Sequence, residues 1–367
     1  MSTLRYTSIV GPLPATVPFV GPESQERTRG RPFRARLGAN ESLFGPSPKA
    51  VAAMAAAAAE VWKYGDPENY DLEAALAKTN GVAPENVVVG EGIDGLLGTI
   101  VRLFVEPGGA VVTSLGAYPT FNFHIAASGG RPIKAPYAHD REDLDALLTA
   151  TRREGARLVF LSNPDNPMGS WWPGAEVQRF IDRLPGDAVL CLDEAYLEFA
   201  PADCAPTLDV ANPNVVRFRT FSKAYGMAGA RIGYAIGEAS VIQSFEKVRN
   251  HYGVNKIGQA GALAAIADTE HLARVVADVA AARARIGEIA AANGLRPLPS
   301  ATNFVAVDCG RDGAFARRVL AQLLARDIFV RMPAVAPLDR CIRVTAGLSA
   351  DLDLLASTLP AALNAIP

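Results

Sequence analysis

The sequence predicts an α/β fold: a mostly parallel central sheet flanked by helices, with a smaller α/β unit after it. Three observations predict this. From about residue 46, short apolar runs alternate with helical segments, the pattern of β/α units. The run Ala188 to Leu192 is apolar throughout, as in a strand covered on both faces. A long helical stretch from about Gln259 to Ala292 ends at Asn293-Gly294, and the alternation then restarts. At 367 residues the chain exceeds what one ordinary core holds. The expected organisation is an N-terminal arm over 1–45, a large domain over 46–265 and a small domain over 266–367.

Residues up to about 45 are rich in Pro, Gly and Arg and lack clear periodicity. Lys49 to Trp62 is Ala-rich and helical, and Leu72 to Thr79 is a second helix ending near Gly81. Strands are expected at Asn86 to Val89, Ala110 to Thr113, Leu158 to Leu161, Ala188 to Leu192, Val215 to Arg219 and Ile232 to Ile236. Helices are expected at Gly95 to Phe104, after Pro119, and at Ala175 to Arg183. Beyond the long helix come strands at Asn303 to Val307, Ile328 to Val330 and Ile342 to Thr345, with helices at Ala314 to Ala325 and Ala350 to Leu363.

The bulk numbers exclude several classes. A formal net charge of −2 gives no reason to expect nucleic-acid binding. Arg27, Arg29, Arg31, Arg34 and Arg36 form a basic cluster that reads as an anion-binding or partner-binding arm or, better given the near-neutral total charge, as a solvated arm lying across another subunit. The first apolar stretch, Ile9 to Val20, is broken by Gly11, Pro12, Pro14 and Pro18, which argues against a signal peptide. No apolar run is long enough to span a membrane. The four cysteines form no C-x-x-C pair, and Cys191 and Cys341 sit in apolar runs, so a reduced, cytoplasmic protein is expected. The four histidines lack zinc-ligand spacing, and no metal is assigned.

Chemistry concentrates in four segments. In Thr220-Phe221-Ser222-Lys223-Ala224-Tyr225-Gly226, an apolar strand runs into a polar turn that presents a lysine. A lysine is a nucleophile only when neutral, and a nearby cation such as Arg231 in a partly dry pocket favours that state. Thr220, Ser222 and Arg231 suit a phosphate. Alone, the turn reads slightly better as a surface turn with a solvated lysine. Asp193 follows the apolar strand and so falls at the carboxyl edge of the sheet, where ligands bind in open α/β folds. A carboxylate there is costly without a cationic partner, such as a protonated ring nitrogen of a ligand. It reads equally as an N-cap for the next segment. Gly90-Glu91-Gly92-Ile93-Asp94-Gly95 leads a strand into a helix whose free N–H groups attract phosphate. Ser162 to Gly169 is a tight polar turn after a buried strand.

In this order, N-P-D-N-P-M-G, D-E-A-Y and F-S-K-A-Y-G-M-A-G-A-R-I-G-Y resemble class I/II aminotransferases of pyridoxal-phosphate (PLP) fold type I, and most nearly their histidinol-phosphate aminotransferase branch. Asn40-Glu41, Tyr64-Gly65-Asp66, Pro299 to Phe304, Val330-Arg331 and Ile342-Arg343-Val344 extend the likeness over about residues 38 to 360.

The resemblance implies PLP held by Lys223 as an imine, with Lys223 then moving the proton. Asp193 would pair with the pyridine nitrogen. Tyr196 and Asn166 would bond the phenolic oxygen, and Tyr118 would stack on the ring. Thr220, Ser222, Arg231 and the backbone at Ile93-Asp94 would hold the phosphate. Arg343, with Asn166, would grip the substrate carboxylate, and Arg331 a substrate phosphate or acidic group. It also implies a homodimer in which Tyr64 reaches the neighbour's phosphate site. The substrates expected are an amino acid, or an amino-alcohol phosphate such as histidinol phosphate, and a 2-oxo acid, in a ping-pong exchange.

The sequence departs from the branch at Asn40-Glu41-Ser42-Leu43, Gly92-Ile93-Asp94-Gly95, Met168, Gly65 and Asn250 to Gly253, around the cofactor's edges and the substrate mouth. A decarboxylase of the same fold and a non-catalytic PLP-binding module are the rival expectations. Carbon dioxide release would mark the first, and imine formation without amino transfer the second.

Overall fold

The computed structural model describes residues 4–16 and 20–366; Pro18 lies outside them. A seven-stranded sheet organises the chain. In chain order its strands are β1 (Val87–Gly90), β2 (Ala110–Ser114), β3 (Arg131–Ala135), β4 (Leu158–Ser162), β5 (Val189–Asp193), β6 (Val215–Thr220) and β7 (Gly233–Ile236). Their spatial order is β1-β7-β6-β5-β4-β2-β3. All neighbours are parallel except β7, which runs antiparallel to both β1 and β6. The expected α/β class therefore holds. The carboxyl ends of β1, β2, β4, β5 and β6 all reach one edge of this sheet.

Alternation along the strands builds two buried faces. On one face Leu158, Phe160, Cys191, Val216 and Phe218 pack with Leu97 and Ile100 of the helix Gly92–Phe104. On the other, Val112, Val159, Leu161, Leu190 and Leu192 pack with Leu147, Val177 and Phe180. Both sides are covered, which is why the central strands read as continuous apolar runs.

A second, three-stranded antiparallel sheet contains β8 (Phe304–Asp308) and β9 (Cys341–Thr345), with Arg296–Pro297 as a short edge. Its helices are Gly313–Ala325 and Ser349–Asn364.

The expected long helix from 259 to 292 is two helices, Lys256–Ile266 and Thr269–Ala292. Asp268 breaks it. Its backbone leaves the helical region at φ −99, ψ 65, and its buried carboxylate takes the Ser47 hydroxyl and, at 3.2 Å, the Lys49 ammonium. Ser47 caps the helix Pro48–Ala58, so one aspartate ties two helix ends together.

The arm is more ordered than its composition suggests. Pro22–Arg29 is a helix, and Ala35–Arg36 pairs in parallel with Ile328–Phe329 of the same chain. Three arginines of the basic cluster are paired within the chain: Arg29 and Arg31 with Asp327, and Arg36 with Glu23 and Glu26. Edge strand β3 escaped the sequence reading because Arg131, Pro132 and Lys134 hide its alternation, as edge strands commonly do. The helix Leu144–Glu154 was also missed.

Candidate active site

A cavity of about 540 Å³ opens at the carboxyl edge of the large sheet and reaches β9 of the small one. The turns after β2, β4, β5 and β6 each deliver a side chain to it. Ile93, Asp94, Tyr118, Asn166, Asp193, Tyr196, Thr220, Ser222, Lys223, Arg231, Arg331 and Arg343 all line it. Every candidate residue except Tyr64 is therefore brought to one place.

Lys223 projects from the turn that follows β6. Its Nζ donates to the Asn40 carbonyl at 2.9 Å and lies 5.7 Å from the centre of the Tyr196 ring. Burial, reinforced by the Arg343 charge, lowers its ammonium pKa to about 8. The solvated-lysine reading does not apply.

Asp193 is the last residue of β5 and only 6% exposed. One oxygen accepts the Ala195 N–H at 2.9 Å, but the helical turn that follows, Leu197–Phe199, starts from Tyr196, so Asp193 is not its N-cap. Among the described residues no ion pair reaches this carboxyl, and burial raises its pKa to about 7. A ligand cation would relieve that cost.

At one end of the cavity the helix Gly92–Phe104 presents its N-terminus. Gly92 has φ +73, and a Cβ there would collide with the Arg231 guanidinium; a Cβ at Gly233 would stand 2.6 Å from the Ile93 nitrogen. Only glycines permit this packing. Arg231 donates to Ser222 Oγ at 3.3 Å, and Thr220 Oγ1 accepts the Ser222 N–H at 3.0 Å. Free N–H groups, two hydroxyls and a guanidinium thus converge on a space that suits a phosphate.

At the other end, Arg343 is 7% exposed and donates to Asn166 Oδ1 at 2.6 Å, while its Nε is buried without a partner. Burial holds its pKa below the usual arginine range. Arg331 is bonded to Arg343 through both backbone groups, at 2.6 and 3.3 Å, which brings the two arginines together beside the cavity. Arg331 also donates to the Val20 carbonyl.

The Tyr196 hydroxyl receives the amide N–H groups of Asn40 at 3.1 Å and Asn166 at 3.4 Å, and burial raises its pKa. Tyr118 is half-buried, with its hydroxyl pushed up to about 12 by burial. Tyr64 stands apart: it is 81% exposed and packs on Tyr252 with ring centres 4.9 Å apart.

Asn40 received no role in the sequence reading although its segment was singled out. It is 2% exposed with φ 55, and it serves both Lys223 and Tyr196. Its signal was the residue type, since Asn tolerates the left-handed region.

These residues in this arrangement define an aminotransferase. The model of the family described as aminotransferase class I and II matches residues 35–359, and the chain belongs to that family. The solved structure of a histidinol-phosphate aminotransferase from Sinorhizobium meliloti, in complex with pyridoxal-5′-phosphate, matches it with a TM-score of 0.97 at 54% identity, covering 100% of both chains. A histidinol-phosphate aminotransferase of Anaeromyxobacter sp. is 38% identical over 344 residues, 92% of this chain and 93% of its own. An aromatic amino acid aminotransferase of Rhodococcus jostii is 38% identical over 288 residues, 78% of this chain and 80% of its own.

Proposed function

We propose that the chain is a PLP-dependent aminotransferase whose amino donor carries an anionic group, with histidinol phosphate the foremost candidate. The observation that carries this reading is the half-buried Lys223 amine, set between a phosphate-shaped cradle at one end and an arginine pair at the other. When bound, the cofactor supplies an aldehyde that captures an amine and a ring that accepts the electron pair left at Cα.

The chain's own residues set up the rest. Lys223 holds the cofactor, and its lowered pKa keeps much of the amine neutral near pH 8. Once displaced, Lys223 Nζ would take the proton from the donor's Cα and return it at the cofactor's C4′. Asp193 would keep the pyridine nitrogen protonated, and that cation would relieve the carboxylate's burial. Asn166 and Tyr196 would bond the phenolic oxygen, and Tyr118 would stack on the ring. Thr220, Ser222, Arg231 and the N–H groups at Ile93-Asp94 hold the cofactor's phosphate.

Arg343, oriented by Asn166, grips the donor's anion, and Arg331 adds a second guanidinium. A buried arginine with a half-buried one beside it suits a phosphate dianion better than a single carboxylate, which favours an amino-alcohol phosphate. A 2-oxo acid uses the same arginines in the return half-reaction.

A second copy of the chain completes the site. Trp62, Tyr64, Tyr70 and Tyr252 leave large rings exposed, by 60 to 81%, on a surface that supports a homodimer. Tyr64 then reaches the neighbour's phosphate cradle. The substrate-gripping sheet and the cofactor-holding sheet act as the small and large domains expected over 266–367 and 46–265. No helix among the described residues is long and apolar enough to cross a membrane, which is compatible with the cytoplasmic location expected from the cysteines.

Lys223→Ala should abolish turnover while the cofactor remains bound. Near-normal turnover would reject the assignment. Histidinol phosphate, phenylalanine, tyrosine and glutamate, screened for loss of the visible absorption of the loaded enzyme, identify the donor.

A further inference from the structure

Behind the substrate end of the site lies an acid that the reaction does not use. Glu142 ends the short hairpin Tyr137–Ala138/Arg141–Glu142 and is 1% exposed. Asp165, the neighbour of Asn166 in the turn after β4, is 2% exposed. The two carboxyls lie within hydrogen-bonding reach of each other.

Asp165 is well supplied with donors: Oδ1 takes the Tyr137 hydroxyl at 2.8 Å, and Oδ2 takes the Met168 N–H at 3.1 Å. Glu142 is not. Its Oε1 has one long contact, 3.4 Å, from the Ser162 N–H, and its Oε2 is buried with no donor. Ser114 Oγ, itself buried without a partner, turns toward the same carboxyl. Among the described residues neither acid has an ion-pair partner. The charges that act on Asp165 from farther off are Arg343, which favours its ionised form, and Asp193, which shares a repulsion with it.

Two carboxylates this close and this dry cannot both be charged. A buried carboxyl oxygen that makes no hydrogen bond is explained when it carries a proton of its own, with the Ser114 hydroxyl beside it. We propose that Glu142 is held as a neutral acid that donates its proton to Asp165, and that this pair is a positioning device for Asn166 and, through it, for Arg343. The inference rests on the reading of Arg343 and Asn166 as the grip on the substrate anion.

The chain of contacts is continuous. Glu142 fixes Asp165; Asp165, held also by Tyr137 and Met168, fixes the turn from 163 to 169; that turn aims Asn166 Oδ1 at Arg343 Nη1. Burial raises both carboxyls. It raises Glu142 further, while Tyr137, Met168 and Arg343 hold Asp165 back, so the shared proton resides on Glu142. Asp165 is the member that ionises first, placed where its charge offsets the buried Arg343 cation without occupying the anion site.

Two variants test this. Glu142→Gln replaces a neutral donor by a neutral donor and should keep KM and kcat for the donor within about twofold. Glu142→Leu removes one buried hydrogen bond from Asp165, so KM for the anionic donor should rise about tenfold with kcat little changed. Equal KM in the two variants, or loss in Glu142→Gln as large as in Glu142→Leu, would overturn the proposal.

A second readout is independent of activity. The unfolded chain ionises Glu142 near its ordinary value of 4.5, whereas the folded chain keeps the proton. Stability is therefore lost as pH rises above that value, and glutamine does not titrate. The gain in melting temperature of Glu142→Gln over wild type should widen from pH 5 to pH 8; a constant gap would mean an ionised Glu142. If wild type transaminates none of the donors, the reading of the site fails, while the pH-dependent gap still decides the protonation of Glu142.

Discussion

Asp193 and Glu194 are adjacent in the chain and almost equally buried, at 6% and 1% exposed. Their surroundings are opposite. Glu194 receives Arg217 Nε at 2.9 Å and Arg219 Nε at 2.8 Å, and Arg219 goes on to Asn80. Despite its burial its pKa stays below the usual carboxylate range, because two guanidiniums outweigh desolvation. Asp193 has one backbone N–H and a cavity, and its pKa rises to about 7. A buried charge that the fold itself satisfies is structural. A buried charge left to a ligand marks the place where the ligand goes.

Substitution separates the two roles. Glu194→Ala strands the buried Arg217 and the partly buried Arg219 and should cost about 3–5 kcal/mol of stability, read as a fall in the denaturant midpoint. Asp193→Asn keeps the Ala195 contact and should leave the fold intact, while turnover falls about 100- to 1000-fold, the range expected for loss of one preorganised charge. It should even stabilise the cofactor-free chain. The folded-state pKa of Asp193 is raised, so the wild type loses stability as pH climbs from about 4 through about 7, and asparagine escapes this. Melting curves of both proteins from pH 4 to 8 check the sign: a gap that fails to grow with pH would place Asp193 with the satisfied charges.

The same contrast explains what the sequence could reveal. Asp193, Lys223 and Asn166 were legible because each terminates or follows an apolar strand, where a polar residue stands out; Arg231 was legible as a cation eight residues after that lysine, beyond two glycines. The parallel sheet was legible because both its faces are buried. Glu142 was not legible: it sits in Arg141-Glu142-Asp143, a charged stretch like any surface turn, and its burial comes from packing against a distant segment. The split of the long helix at Asp268 depended likewise on Ser47 and Lys49, some 220 residues away. Edge strand β3 carried too many charges to register as part of a core. Local pattern encodes elements and their ends; it does not encode which distant groups meet.

Lys223 sharpens the comparison further, because it is the cation nearest in kind to a partner for Asp193. Its ammonium pKa is lowered to about 8, and only the neutral amine captures the aldehyde. Uptake of PLP by the cofactor-free chain should slow about tenfold for each pH unit below about 8. The Asp193 charge supports the protonated lysine, so Asp193→Asn should move this break to lower pH. A break near 10.5, or one unmoved by the substitution, would mean that the lysine does not sense its surroundings as the geometry requires.

The smallest effect is expected at Tyr64, which the cavity of its own chain does not include. Tyr64→Phe removes one hydroxyl and should weaken PLP retention about three- to tenfold without changing kcat in saturated enzyme. Loss of the Tyr252 contact alone would predict no change, since phenylalanine keeps that ring packing. Mixed dimers of Tyr64→Phe and Lys223→Ala chains separate an intrachain role from a role across subunits. In the mixed dimer the site with an intact Lys223 belongs to the Tyr64→Phe chain and borrows Tyr64 from its neighbour. That site should retain PLP as tightly as wild type. Retention as weak as in the Tyr64→Phe homodimer would confine Tyr64 to its own chain, and with it the argument that one copy leaves the phosphate cradle unfinished.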